Sequence, residues 1–122
     1  MKVKKKVLIV DDDSLVREVT KEVVEEKNDL EVSEATNGKE ALHLAQNNPF
    51  DLLIADICMP EMNGIELVDK LRKSGTSIPI IVTSSMLNHH TRNHLISHQS
   101  IYFIEKPFSI ETLAGTVGNI VS

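Results

Sequence analysis

Three things are missing from this sequence, and each excludes a class of protein. No run of about 20 apolar residues occurs in its 122 positions, so no helix can span a bilayer. The basic start is followed by only four apolar residues, Val7 to Val10, and then by three aspartates. That is not a secretory signal, and no membrane association is expected. Cysteine occurs once, at Cys58, which excludes an intramolecular disulfide or a cysteine-rich zinc site and points to a reducing cytoplasm. Positive charge is in deficit, with 13 Lys+Arg against 18 Asp+Glu and a formal charge of −5. Direct nucleic-acid binding is therefore not expected. No linker, internal repeat or low-complexity segment interrupts the chain. A chain of this length suits one domain with one core, so residues 1–122 read as a single domain. Residues 1–5 form a basic tail and about 6–121 form the core.

Short apolar runs alternate with longer stretches of helical period. Val7–Val10 and Leu52–Ala55 are continuous apolar runs, as in strands covered on both faces. Ile78–Val82 and Ile101–Ile104 read as the fourth and fifth strands, with Pro79 near the start of the former, where a missing amide donor is tolerated. Leu30–Ala35 alternates instead and suits an edge strand. Between these runs, Leu15, Val16, Val19, Val23 and Val24 mark one face of a helix that Asp13 or Ser14 can cap. Further helices begin at Asn37-Gly38, cover Ile65–Leu71 and roughly Leu87–His98, and follow Ser109. Five strands alternating with five helices imply crossover connections, hence a parallel sheet in an α/β fold with helices on both faces.

Ligands of such a fold bind beyond the carboxyl ends of the strands. There the sequence places Asp11, Asp12 and Asp13 after the first strand, Asp56 after the third, Thr83 after the fourth and Lys106 after the fifth. Each has an ordinary reading: a helix cap, a turn residue, a β-branched strand residue, a solvated lysine. Their shared position on one rim is what the ordinary readings do not explain. Clustered carboxylates raise one another's pKa unless a cation lies among them. Oxygen ligands favour a hard ion such as Mg²⁺, which completes its shell with water and phosphate. A lysine and a hydroxyl would hold the remaining phosphoryl oxygens, an arrangement for phosphoryl transfer. No Walker-type phosphate loop or dinucleotide fingerprint is present, so a nucleotide is not the obvious donor. An aspartate can itself accept the group as an acyl phosphate.

Four stretches carry a resemblance to the response-regulator receiver domains of two-component systems, the chemotaxis-regulator type included. They are Val7–Asp13, Asp51–Gly64, Ile80–Ser84 and Glu105–Phe108. The resemblance implies a flavodoxin-like, doubly wound sheet of order 2-1-3-4-5. It implies that Asp56 accepts phosphate from a phosphohistidine, and that Asp11, Asp12, Asp56 and the backbone carbonyl of Cys58 hold Mg²⁺. It also implies that Thr83 and Lys106 contact the phosphoryl group and that Thr83 and Phe103 are the switch pair. The Lys106–Pro107 peptide is expected to be cis. The implied partners are a sensor histidine kinase or phosphotransfer protein and a downstream protein, with the chain a monomer or a phosphorylation-linked dimer. Such a switch catalyses only its own phosphorylation and dephosphorylation. The output would be a change in the face of the fourth helix, fifth strand and fifth helix. One receiver uses up the 122 residues, so output through contact with another protein is expected.

Several positions depart from the family's pattern. Cys58 places a thiol near the expected phosphate, where a small neutral side chain is the simpler reading and an inhibitory adduct the sharper one. Ser85 lacks a long polar side chain that would approach hydrolytic water. Gln99-Ser100 replaces a usual Gly-Ala. His90, His94 and His98 fall at i, i+4 and i+8, with His89 adjacent. A metal-binding or pH-sensing surface is one reading of that stripe, and a plain solvated face is the simpler one. Two alternatives to the phosphoacceptor reading are weighed. A haloacid-dehalogenase-type phosphatase would use Asp11 and Asp13, with Thr83 and Lys106, but would leave Asp56 idle and find only Glu111 for its last acidic motif. A phosphorylation-independent pseudo-receiver would need none of the site residues.

Overall fold

In the computed structural model, residues 3–59 and 62–122 are described. Met1 and Lys2 of the tail, and Pro60 and Glu61 of the Asp51–Gly64 motif, lie outside them. The elements run β1 (Lys6–Val10), α1 (Ser14–Asn28), β2 (Glu31–Ala35), α2 (Gly38–Asn47), β3 (Leu52–Asp56), α3 (Gly64–Lys73), β4 (Ile80–Ser84), α4 (His89–Ile96), β5 (Ile101–Glu105) and α5 (Ile110–Val121). The strands form one parallel sheet in the order β2-β1-β3-β4-β5. The alternating strand, β2, is therefore at an edge, with Glu31, Ser33 and Glu34 exposed.

Strand periodicity sorts the core into two layers. Leu8, Val10, Leu53, Ala55, Ile80 and Val82 point to one side, against Ala41 of α2, Leu67, Val68 and Leu71 of α3 and Leu95 of α4. Val7, Ile9, Leu52, Ile54, Ile81 and Ile104 point to the other, against Val23 and Val24 of α1 and Leu113 and Val117 of α5. Each helix starts on a side-chain cap. Asp13 accepts from the amides of Leu15 and Val16, Asn37 from Glu40, Asn63 from Glu66, Asn88 from Thr91 and Ser109 from Thr112.

Two elements, β4 and α4, shift at both ends by two residues from the sequence reading; the other ends shift by two or fewer. β4 spans Ile80–Ser84 rather than Ile78–Val82. Pro79 stands outside the strand and only its carbonyl takes part, accepting from the Leu53 amide. Polar Thr83 and Ser84 continue the pairing instead, opposite Ile104 and Glu105. α4 is His89–Ile96 rather than Leu87–His98, since the Asn88 cap sets its start and leaves Leu87 ahead of it.

At the amino-terminal end of the sheet, the Arg72 guanidinium donates to the carbonyls of Thr76 (3.1 Å), Ile78 (2.7 Å) and Gln99 (2.8 Å). It thereby joins the α3–β4 and α4–β5 connections. Ser100, in the Gln99-Ser100 departure, takes a left-handed φ of 59°, and its carbonyl accepts from the Ile80 amide at 2.9 Å. Among the described residues no helix is long and apolar enough to cross a membrane.

Candidate functional site

Parallel strands aim their last residues at one rim. β3 ends on Asp56, in register with Thr83 of β4. Asp11 follows β1 and Lys106 follows β5. Asp11 and Thr83 are 3% exposed and Asp56 is 8% exposed, so three polar groups are buried together, while Asp12 stays in solvent. Carboxylate oxygens of Asp11, Asp12 and Asp56 lie within 4.8 Å of one another. The Lys106 ammonium reaches across them, 3.0 Å from Asp11 Oδ2 and 3.6 Å from Asp56 Oδ2. The peptide that follows, Lys106–Pro107, is cis.

The backbone fixes the two buried carboxylates. Asp11 Oδ1 accepts from the Asp13 amide at 2.9 Å, and the Asp11 carbonyl accepts from Arg17 Nη1 at 2.8 Å. Asp56 Oδ1 accepts a longer bond, 3.4 Å, from the Cys58 amide. The Ile57 amide donates to the Thr83 carbonyl and the Gly64 amide to the Ile57 carbonyl. Ile57, the residue after Asp56, is thus tied to both β4 and the start of α3.

Two glycines allow this close packing. A Cβ on Gly64 would meet the Asp56 carbonyl oxygen and Ile57 Cα at 2.8 Å, and one on Gly38 would meet the Met62 carbonyl oxygen at 2.1 Å. Neither glycine stood out in the sequence, where Asn-Gly reads only as a turn or helix start. Arg17, Asn63 and Met86 were also not legible as neighbours of the site. The last two, with Asp12, Cys58, Met59 and Thr91, line a surface cleft of about 650 Å³ beside it.

Electrostatics follow from the burial. Burial raises the Asp56 carboxyl above its ordinary value; Lys106 pulls it down, and the charges of Asp11 and Asp12 add to the rise. Burial alone would lower the Lys106 ammonium. Its bonds and charge contacts with Asp11 and Asp56 outweigh that and hold it above its ordinary value. The site therefore combines an electron-rich carboxylate, reluctant to stay charged, with a fixed cation. All ligating atoms are oxygens and one ammonium faces three carboxylates, a donor set suited to a hard divalent cation.

The remaining expected residues are placed as follows. Cys58 is exposed and lines the cleft. Phe103 is partly buried against the layer that holds α3 and α4, and Arg92 of α4 lies over its ring, 4.8 Å from the centroid. Tyr102 points the other way and is exposed. Asp13 is taken up by capping: its Oδ1 accepts from Leu15 N at 2.9 Å and Val16 N at 3.3 Å. On the other side of Lys106, Leu15, Val16, Val19, Pro107 and Phe108 line an apolar groove of about 440 Å³.

The sequence model of the family described as response regulator receiver domain matches residues 7–117. A probable C4-dicarboxylate response regulator, DctR of Bacillus subtilis, is 31% identical over 109 residues, covering 88% of this chain and 48% of that protein. A probable transcriptional regulatory protein of Picosynechococcus is 34% identical over 117 residues, covering 90% and 46%. The chain thus spans about half the length of the curated relatives it matches. Among solved structures, the Francisella response regulator 1452 receiver domain superposes with a TM-score of 0.88 at 33% identity, covering 97% of each chain. The Vibrio cholerae chemotaxis protein CheY4 superposes with a TM-score of 0.88 at 30% identity, covering 97% of this chain and 99% of that one.

Proposed function

The chain belongs to the response-regulator receiver family of two-component signalling, and from that premise we propose that Asp56 is its phosphoacceptor. The observation that carries this is the Lys106 ammonium, set between buried Asp11 and Asp56 at the sheet rim. An Asp56 oxygen attacks the phosphorus of a donor phosphohistidine. The O–P bond forms as the P–N bond breaks, and the departing imidazole nitrogen keeps the bonding pair and takes a proton. Lys106 neutralises the phosphoryl oxygens, and the Thr83 hydroxyl, one strand away, turns to meet them. Positioning and charge neutralisation account for most catalysis of this class. Asp11, Asp12, Asp56 and the Cys58 carbonyl would hold a Mg²⁺ ion, which supplies further charge neutralisation at the phosphoryl group.

The donor is a sensor histidine kinase or phosphotransfer protein. The apolar groove beside Lys106, with Leu15 and Val19 exposed, gives it a surface next to the acceptor. The switch pair is Thr83 and Phe103, and the output is a changed affinity of the α4–β5–α5 face for a downstream protein or a second copy. Coupling of this kind is typically about 1–3 kcal/mol. The single free cysteine fits a cytoplasmic setting. The dehalogenase-type reading is not favoured, because the Asp13 carboxylate is occupied by the α1 cap and Asp56 is at the centre of the cluster.

Acetyl phosphate with Mg²⁺ tests the reading. The intact protein is expected to gain one phosphoryl mass, and Asp56→Ala is expected to abolish the gain. Loss on Asp11→Ala with labelling retained in Asp56→Ala would move the nucleophile to Asp11. No gain under conditions that label another receiver would favour a pseudo-receiver.

A further inference from the structure

The histidine stripe of α4 is not simply a solvated face. His94 and His98 turn back to Asp69 on α3. His94 Nε2 lies 3.0 and 2.9 Å from Asp69 Oδ1 and Oδ2, and His98 Nε2 lies 2.7 Å from Oδ1. Both imidazoles thus present the same ring atom to one carboxylate from another helix. Their rings stand edge-on, 85° apart with centroids separated by 6.1 Å, so neither blocks the other. The local fold explains the convergence. Leu67, Val68 and Leu71 bury one side of α3 and leave Asp69 on the flank towards α4. Beyond Ile96 the chain keeps turning, with Ser97 N bonded to the His94 carbonyl and His98 N to the Leu95 carbonyl. His98 is thereby carried one turn past His94.

The ordinary reading is an exposed ion pair between helices, worth about 1 kcal/mol or less. It accounts for one imidazole on the carboxylate. It does not account for two imidazoles aimed at one point by residues 25 and 29 positions away from Asp69. Among the described residues, two groups of three side chains bring ligating atoms within 4.8 Å of one another. One is the all-oxygen acidic pocket. The other is this N₂O set, whose imidazoles favour zinc, copper or nickel over magnesium. Ligands at the usual Zn–N and Zn–O lengths and a tetrahedral angle are about 3.3 Å apart. The observed N···O separations of 2.7–3.0 Å need to open by only about half an ångström, and all the ligand atoms already lie within 4.8 Å of one another. His94 and Asp69 are 48% and 40% exposed, so side-chain rotation suffices.

We propose that Asp69, His94 and His98 form a binding site for a divalent transition-metal ion of the zinc class, with solvent or a partner's ligand completing its shell. Bound there, the ion clamps α4 to α3. Leu95 is the one buried residue of α4 among those described, so the clamp acts on a helix with little other anchorage.

The test is calorimetric titration of Zn²⁺ into the 122-residue chain with excess Mg²⁺ present to occupy the acidic pocket. One site is expected. Asp69→Asn, His94→Gln and His98→Gln should each weaken it by at least about tenfold, while a His89→Gln/His90→Gln double variant should stay within about twofold of the parent. Circular dichroism checks that each variant is folded, and Co²⁺ added to the unaltered chain should give the visible absorption bands of a low-coordinate N/O site. Unchanged Zn²⁺ affinity in a His94→Gln/His98→Gln double variant would overturn the proposal. So would absence of any binding, or loss of binding in the His89/His90 variant. These results are independent of whether Asp56 takes up phosphate.

Discussion

Gly64→Ala and Gly115→Ala make the same chemical change in two helices and should shift stability in opposite directions. At Gly64, the first residue of α3, an added Cβ would lie 2.8 Å from the Asp56 carbonyl oxygen, 2.8 Å from Ile57 Cα and 3.3 Å from the Asp56 carbonyl carbon. All three are backbone atoms, so no flexible side chain can yield. Ordinary contact begins near about 3.5 Å, so the start of α3 and the end of β3 must part by about 0.7 Å. Overpacking of that kind costs about 1–3 kcal/mol. The gain in helix propensity and unfolded-chain entropy is at most about 1 kcal/mol, and less at a first helical position. The net expectation is a loss of about 1–2 kcal/mol. At Gly115, inside α5, a Cβ meets nothing within 4 Å, so only the propensity gain remains, about 0.5–1 kcal/mol. Equilibrium urea unfolding at constant m-value measures both. The atoms displaced at Gly64 belong to Asp56, the proposed acceptor, and to Ile57. The rate of labelling of Asp56 by acetyl phosphate should therefore fall by about tenfold or more, since misplacement by 1 Å can cost about a hundredfold. Gly115→Ala should label normally. A Gly64→Ala protein as stable as its parent, or a destabilised Gly115→Ala, would refute the packing on which this rests.

Asp56 should make stability depend on pH with a definite sign. Its folded carboxyl titrates above the ordinary 3.8 because of burial. Between 3.8 and the raised value the native state holds more protons than the unfolded state, so stability falls as pH rises through that window. Asp56→Asn lacks this loss. Measured by denaturant without added metal, its advantage over the parent should grow across the window and then level off; a constant difference at every pH would sink the argument. Lys106→Met should cost about 1–2 kcal/mol at neutral pH, less than the 3–5 kcal/mol of a fully buried pair because its ammonium is partly exposed. The cost should shrink as Asp56, whose carboxyl is raised, is protonated in acid. Paired urea unfolding at pH 7 and pH 4 checks this, and an undiminished cost at pH 4 would count against it.

How far the sequence could be read depended on what each residue has to do. The buried strands announced themselves because both faces of β1 and β3 are covered and only apolar residues can fill them. The strand ends did not. A search for apolar runs stops at Val82, Ala55 and Ile104, yet pairing extends to Ser84, Asp56 and Glu105, because the rim that carries chemistry must be polar. The rim location of Asp11, Asp56, Thr83 and Lys106 was legible from topology alone. The distances between them were not, since crossover helices of similar length permit several strand orders. α4 was blurred at both ends because its single buried leucine gives little period to read. The histidine stripe was visible as a spacing, but Asp69 is on another helix and no local pattern joins the two.

The Arg72 bonds gather two connections of the sheet at a single side chain. Three carbonyls from two connections converge on one rigid guanidinium fork at the amino-terminal rim. A lysine could not replace the fork, having no planar array of donors to share among three acceptors. Arg72 therefore fixes both connections to one point, about which a rotation of α4 and β5 would need no sliding at this rim. A five-residue strand gives a lever of about 16 Å, so a turn of only about 4° moves its free end by about 1 Å.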